Sequence, residues 1–156
     1  MDSLSLVNSF YDSFQRKDAK GMIRCYTDDV VFEDPAFGEL KGDEAKAMWR
    51  MLINKGGDSL QVNYKVISYD LNTVTVHWEA KYPFGPNKRQ IHNQITAHIL
   101  VKDGKIIKHT DQFDLWRWAR QAFGVPGILL GWTPMMKAKI QTSTKSLLQK
   151  YIEKTG

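Results

Sequence analysis

Asp34, His109 and Asp111 are the residues whose types and spacing could carry acid–base chemistry. Each stands where an apolar side chain belongs. In "VVFED", Val30, Phe32 and Asp34 share one strand parity, so a carboxylate follows a phenylalanine on the same face. In "KIIKHTDQF", Ile107, His109, Asp111 and Phe113 share a parity in the same way. The His109–Thr110–Asp111 spacing sets imidazole and carboxylate on one face, about 7 Å apart at the backbone. An unpartnered ionised carboxylate in an apolar core costs several kcal/mol. Two acids with a histidine therefore predict a water-containing cavity, and a cavity implies a ligand. A carboxyl made less acidic by apolar surroundings, together with an imidazole, is the usual equipment for proton transfer.

Other readings stay open. Asp34 precedes Pro35 and also reads as the cap of the turn that follows. His109 also reads as a hydrogen-bonded core histidine, partnered by Asp111 or by a residue of the tail. Asn93 is a fourth polar group on an inward parity, read as structural and ligand-facing. His77, His92 and His98 fall on the opposite parity and read as surface or subunit-contact residues. Without cysteines or a compact histidine pair on one face, no zinc or other metal site is expected, and no cofactor.

The elements that must position these groups follow from periodicity. "SLSLVNSFYDSFQRKD" places Leu4, Val7, Phe10, Tyr11 and Phe14 at helical spacing, with Ser3 as N-cap. A short helix over "AKGMIRCYTDD" turns Met22, Ile23 and Tyr26 to one side. After the strand at Val30, "GDEAKAMWRMLINKGG" reads as a third helix capped by Asp43 and ended by Gly56 and Gly57. The period then becomes two through Leu60–Val66, Val74–Tyr82, Ile91–Val101 and Ile107–Phe113, with turns at "DLN", "FGPNK" and "KDGK". The prediction is an α+β domain: a curved antiparallel sheet packed on N-terminal helices. Residues 114–156 form a helical tail of the same single domain, 1–156. In it, Leu115–Phe123 reads as a helix, "GVPGILLGW" (124–132) as an apolar loop, and Thr133 with Pro134 as the start of a last helix.

Composition bounds the function. With 156 residues and 42% hydrophobic content the chain is the size of one domain with a real core. No run suits a membrane span and no secretory signal is indicated, so a cytoplasmic protein is expected. Cys25, the lone cysteine, reads as a buried inert thiol. The net charge of +5 lies largely on lysines scattered around the last helix, a solvated face and not a nucleic-acid groove.

Two segments carry a family resemblance: "FYDSFQRKDAKGMIRCYTDDVVFEDPAFG" (Phe10 to Gly38) and "DGKIIKHTDQF" (Asp103 to Phe113). The chain resembles the nuclear transport factor 2-like superfamily, a cone-shaped α+β fold that includes ketosteroid isomerase, SnoaL-type polyketide cyclases, limonene epoxide hydrolase and scytalone dehydratase. The order of elements agrees over roughly Ser3 to Phe113. The resemblance implies that Asp34 is the general base, as the aspartate of "EDP" is in the isomerases. The isomerases' two oxyanion donors fall on Phe10 and Ala97, so both are replaced, although Tyr11 is adjacent to the first. The aspartate–arginine–aspartate set of the hydrolase is not reproduced, because no arginine falls on the inward parity.

The combined expectation is a cofactor-free isomerase, cyclase or dehydratase, or an epoxide hydrolase-like enzyme. Asp34, His109 and Asp111 would relay protons on a hydrophobic small molecule, against substrate-binding Tyr11, Trp49, Tyr64, Trp78, Asn93 and Phe113. The alternative is a non-catalytic binder of a lipid-like ligand or protein partner, with "GVPGILLGW", Trp116, Trp118 and Trp132 as lid or contact surface. A homodimer through the outer sheet face at His77, Thr96 and His98 is what the superfamily suggests.

Overall fold

In a computed structural model describing residues 2–155, the chain begins with α1 (Ser3–Gln15). Its cap is Asp2, whose carboxylate accepts from Ser5 N at 2.7 Å. Ser3, expected as cap, is the first helical residue; its hydroxyl donates to Asp70 O at 2.6 Å and ties the helix to the sheet. The second helix, α2 (Ala19–Arg24), is shorter than its apolar pattern predicts, because the chain becomes strand at Tyr26. Cys25 is the buried residue between them, and burial raises its thiol pKa.

Strand β1 (Tyr26–Asp34) turns at Pro35–Phe37 into β2 (Gly38–Lys41), and α3 (Asp43–Gly56) follows. Gly42 occupies the α3 cap position, so Asp43 lies in the first turn. The meander is β3 (Gln61–Tyr69), β4 (Thr73–Phe84), β5 (Arg89–Lys102) and β6 (Lys105–Gln112). The six strands are ordered β2-β1-β6-β5-β4-β3. β1 joins β6 in parallel, with Phe32 opposite His109 and Glu33 opposite Thr110, so the sheet is mixed and not wholly antiparallel. This pairing brings the two polar sequence segments side by side.

The inner face of the sheet packs on the N-terminal helices, and a single cluster holds Phe10, Phe14, Phe32, Trp49 and Trp78. The apolar parity holds along β4 and β5 but slips at the start of β6. There Val101 pairs with Ile106 while Leu100 pairs with Lys108, leaving Ile107 as an extra residue. The buried isoleucine is accordingly Ile106, and Ile107 is half-buried. After this bulge His109 and Asp111 are inward, as their spacing predicts.

The described part of the tail is three helices joined by short turns. α4 (Leu115–Phe123), capped by Asp114, ends at Gly124, and Val125–Leu130, read as loop, forms α5. Thr133 caps α6 (Pro134–Thr155), accepting from Met136 N at 3.1 Å. α6 lies on α3, where Asn54 Nδ2 donates to Tyr151 Oη at 2.7 Å. No helix among the described residues is long and apolar enough to cross a membrane.

Candidate functional site

His109 is fully buried and both ring nitrogens are bonded. Nε2 lies 2.9 Å from Asp111 Oδ1, and Nδ1 lies 2.8 Å from Tyr26 Oη. Tyr26 Oη also accepts from Trp49 Nε1 at 2.8 Å, and Asp111 Oδ1 accepts from Trp78 Nε1 at 3.3 Å. The donor count assigns the protons: the Tyr26 hydroxyl donates to Nδ1, and Nε2–H donates to the carboxylate. The result is a directed chain, Trp49 to Tyr26 to His109 to Asp111, within an aromatic shell. Phe32, Phe10 and Trp49 surround the imidazole at ring-centre distances of 5.2, 5.4 and 5.9 Å. His109 is thus a hydrogen-bonded core residue, with aromatic rings around it where a wet hollow was expected.

Asp34 occupies the next strand. One step beyond the Glu33–Thr110 pair, it follows Phe32 on the inner face as Asp111 follows His109. Its Oδ1 accepts from Ala36 N at 2.9 Å and Phe37 N at 2.6 Å, so it does cap the turn. Its carboxyl pKa is nevertheless raised to about 7. Burial is the largest cause and the Asp111 charge adds to it, while the Phe37 and Ala36 amides pull the other way.

The tail roofs this corner. Gln141 Nε2 donates to Pro35 O at 3.0 Å and Thr144 Oγ1 to Ala36 O at 2.7 Å, fixing α6 to the turn that Asp34 caps. From α4, Trp118 Nε1 donates to Tyr82 Oη at 2.9 Å. Burial raises the Tyr82 pKa and the charge of Asp34 raises it further, as expected of neighbours.

Tyr11 contributes the one loose polar end in this core among the described residues. Its ring stacks on Tyr64 at 5.0 Å, and its hydroxyl is buried with no hydrogen-bond partner. Burial raises its pKa well above the ordinary value, and the Asp111 charge is the second cause. Tyr64 itself reaches the rim, where its hydroxyl donates to Asp12 Oδ1 at 2.7 Å, and its pKa rises to about 12, burial first. Asn93, opposite Ala80, and Phe113 are half-buried, further along the same face.

Sequence reasoning missed Tyr26, placed on a helix, and did not foresee that Tyr82 and Trp118 meet beside Asp34. The inward parity of Tyr82 was the available signal. Two surface depressions lie elsewhere. One of about 900 Å³ runs between α1 and β3, past Asn8, Asp12 and Tyr64, and one of about 660 Å³ is lined by Arg89, Arg117 and Arg120. Among the described residues no group of three His, Cys, Asp or Glu side chains is placed to hold a metal ion.

Comparison with known proteins agrees with this geometry at the level of fold. A candidate polyketide cyclase of Xanthomonas campestris pv. campestris superposes with a TM-score of 0.62 at 22% identity, over 76% of this chain and 94% of its own. An LEH-like epoxide hydrolase of M. tuberculosis gives 0.58 at 20% identity, over 81% and 89%. A nuclear transport factor 2-like protein of unknown function from Burkholderia pseudomallei K96243 gives 0.64 at 15% identity, over 78% and 97%. A search of curated proteins gave no match. The SnoaL-like domain family matches residues 7–109, from within α1 to the imidazole at the centre of the buried network, and the chain belongs to that family.

Proposed function

We propose that the protein is a cofactor-free acid–base catalyst of the isomerase, cyclase or dehydratase type, with Asp34 as the proton-transferring group and a hydrophobic small molecule as substrate. The observation that carries this reading is the placement of two inward carboxyls, Asp34 and Asp111, one step past the Glu33–Thr110 pair on neighbouring parallel strands, and burial there raises the Asp34 carboxyl to about 7. Near neutral pH such a group populates both forms, so it can take a proton from one atom of a substrate and return it to another. Asp111 is its electrostatic partner. His109, with both nitrogens engaged, is a positioning residue for Asp111. The unpartnered Tyr11 hydroxyl, neutral at ordinary pH, is the donor to a substrate oxygen. Tyr64, Asn93 and Phe113, half-buried on the same face, flank the ligand, and Trp49 and Trp78, packed in the aromatic core, back the site from behind.

The test is deuterium exchange at carbon beside the carbonyl in a panel of cyclic ketones. The chain should accelerate exchange for some of them, with a half-point near pH 7, and Asp34→Asn should lose about 100-fold or more. Equal rates for both proteins would remove Asp34 from the chemistry. The second reading, a non-catalytic binder of a lipid-like ligand, is favoured by Tyr11, whose hydroxyl requires only an acceptor. It predicts binding that survives Asp34→Asn without any exchange.

We also propose a homodimer through the outer face of β4 and β5 that carries His77, Thr96 and His98. There Glu79 lies 3.8 Å from His77 Nε2 and 3.4 Å from His92 Nε2, a polar cluster suited to self-complementary contact. A monomer in sedimentation equilibrium would remove this assembly.

A further inference from the structure

Helix α5 is built inside out. It meets α4 through Gly127 and Gly131, both buried. A Cβ on Gly127 would fall 2.1 Å from Ala119 O, and one on Gly131 would fall 2.9 Å from the Ala119 methyl. Only glycine permits so close an approach. The large apolar side chains consequently face outward: Val125 is 65% exposed, Leu129 64%, Ile128 49% and Leu130 43%. Trp132, 68% exposed, adjoins them through its indole N–H on Leu129 O, and Met135, 70% exposed, follows in the first turn of α6. An ordinary surface helix buries its leucines. This one spends its buried side on glycine and leaves a continuous apolar face in solvent, the mark of an interaction site.

Beside that face lies the depression of about 660 Å³, lined by Arg89, Arg117, Arg120 and Ile128. Among the described residues none of the three arginines forms an ion pair with an acid. The nearby acid Asp114 is engaged in capping α4 through Arg117 N at 3.1 Å. Arg120 lies over the Trp116 ring at 4.3 Å, and its Nε is buried without a partner. Guanidinium groups gathered in one hollow without carboxylates match phosphate in charge and geometry. The indole N–H groups of Trp116 and Trp132 are satisfied internally, by Ile128 O and Leu129 O, both at 3.1 Å.

We propose that the α4–α5 hairpin docks on the face of a bilayer that contains anionic phospholipid. The leucines and Trp132 enter the acyl boundary, and Arg89, Arg117 and Arg120 take lipid phosphates. Apolar side chains bordered by arginine and tryptophan are what an interfacial membrane surface requires. The net charge of +5 favours the approach. A second copy fits less well, because a two-fold contact through this patch gathers the arginines of both copies into one interface. The inference stands apart from the chemistry proposed for Asp34. It does orient the molecule: Trp118, on the buried side of α4, bonds Tyr82, so the end of the sheet that carries Tyr82 lies toward the bilayer.

The experiment is flotation of the full chain with phosphatidylcholine vesicles, with and without phosphatidylglycerol. Binding should be about tenfold or more stronger with the anionic lipid, fall with salt, and shift tryptophan emission to the blue. Leu129→Ser with Leu130→Ser, and separately Arg117→Ala with Arg120→Ala, should each weaken binding by about tenfold or more. Removing equal charge from α2 and β3 by Lys20→Ala with Lys65→Ala should cost much less. All these side chains but Arg120 are exposed, and an unchanged circular dichroism spectrum checks the fold. Equal binding to the two vesicle types, no binding, or a self-association abolished by the leucine pair would each overturn the proposal, the last in favour of a second copy.

Discussion

Asp34 and Asp111 face the same side of the sheet at matching positions on two neighbouring parallel strands, each one residue past the Glu33–Thr110 pair. Two carboxylates so placed resist being charged together, and burial sharpens the conflict at Asp34. Asp111 has His109 Nε2–H and Trp78 Nε1–H as donors, whereas Asp34 has backbone amides. The division of labour is an anion held by side chains beside an acid that can lose its proton.

The Asp34 shift makes stability depend on pH. Its folded pKa of about 7 lies above the ordinary 3.8, so between these values the folded chain holds a proton the unfolded chain releases. The stability from this group is complete below about pH 4 and falls as pH rises toward 7, by at most about 4 kcal/mol. Asp34→Asn keeps the turn acceptor and removes the charge. In urea denaturation it should be more stable than the parent by about 1–3 kcal/mol at pH 8 and within about 0.5 kcal/mol at pH 4. The same difference at both pH values would contradict the assignment.

Removing the Asp111 acceptor should be costly. Asp111→Ala leaves the His109 Nε2–H and Trp78 Nε1–H unpaired in the core, a loss of about 2–4 kcal/mol, while Asp111→Asn retains a carbonyl oxygen and should lose about half as much. Either change withdraws the neighbouring charge, so the Asp34 pKa should fall, which carboxyl carbon NMR would detect.

The two core tyrosines should behave oppositely. Tyr26→Phe breaks the bridge between Trp49 and His109 and should cost about 1–3 kcal/mol. Tyr11→Phe deletes a hydroxyl that bonds nothing, so stability should be unchanged within about 0.5 kcal/mol or should rise. Comparable losses in thermal unfolding would show that the Tyr11 hydroxyl has a partner after all.

Gly127→Ala tests the α4–α5 seam. The added methyl has nowhere to go beside Ala119 O, so the helices must part, at a cost of about 1–3 kcal/mol. Faster hydrogen exchange in α5, with α1 unaffected, is the expected signature.

Much of this was legible in the sequence because period-two patterns survive wherever one face is buried. Asp34, His109 and Asp111 were found as polar residues on apolar parities, and they do lie inward. The saturation of His109 was not legible, since its partner Tyr26 sits at a helix-to-strand switch where local pattern favours helix. Nor was the parallel β1–β6 pairing, which joins residues about 80 positions apart without a turn to announce it. Helix α5 was hidden for the reverse reason: Gly127 within it and Gly131 at its end read as loop when their use is close packing.

That parallel pairing also sets an order of assembly. β1 and β2 form an edge ribbon whose place in the sheet exists only once β6, ending at Gln112, is present. During synthesis the N-terminal quarter of the chain therefore waits for its partner, with Val30 and Phe32 uncovered on the sheet side, and a nascent chain stopped before Lys105 should be the form most dependent on chaperones.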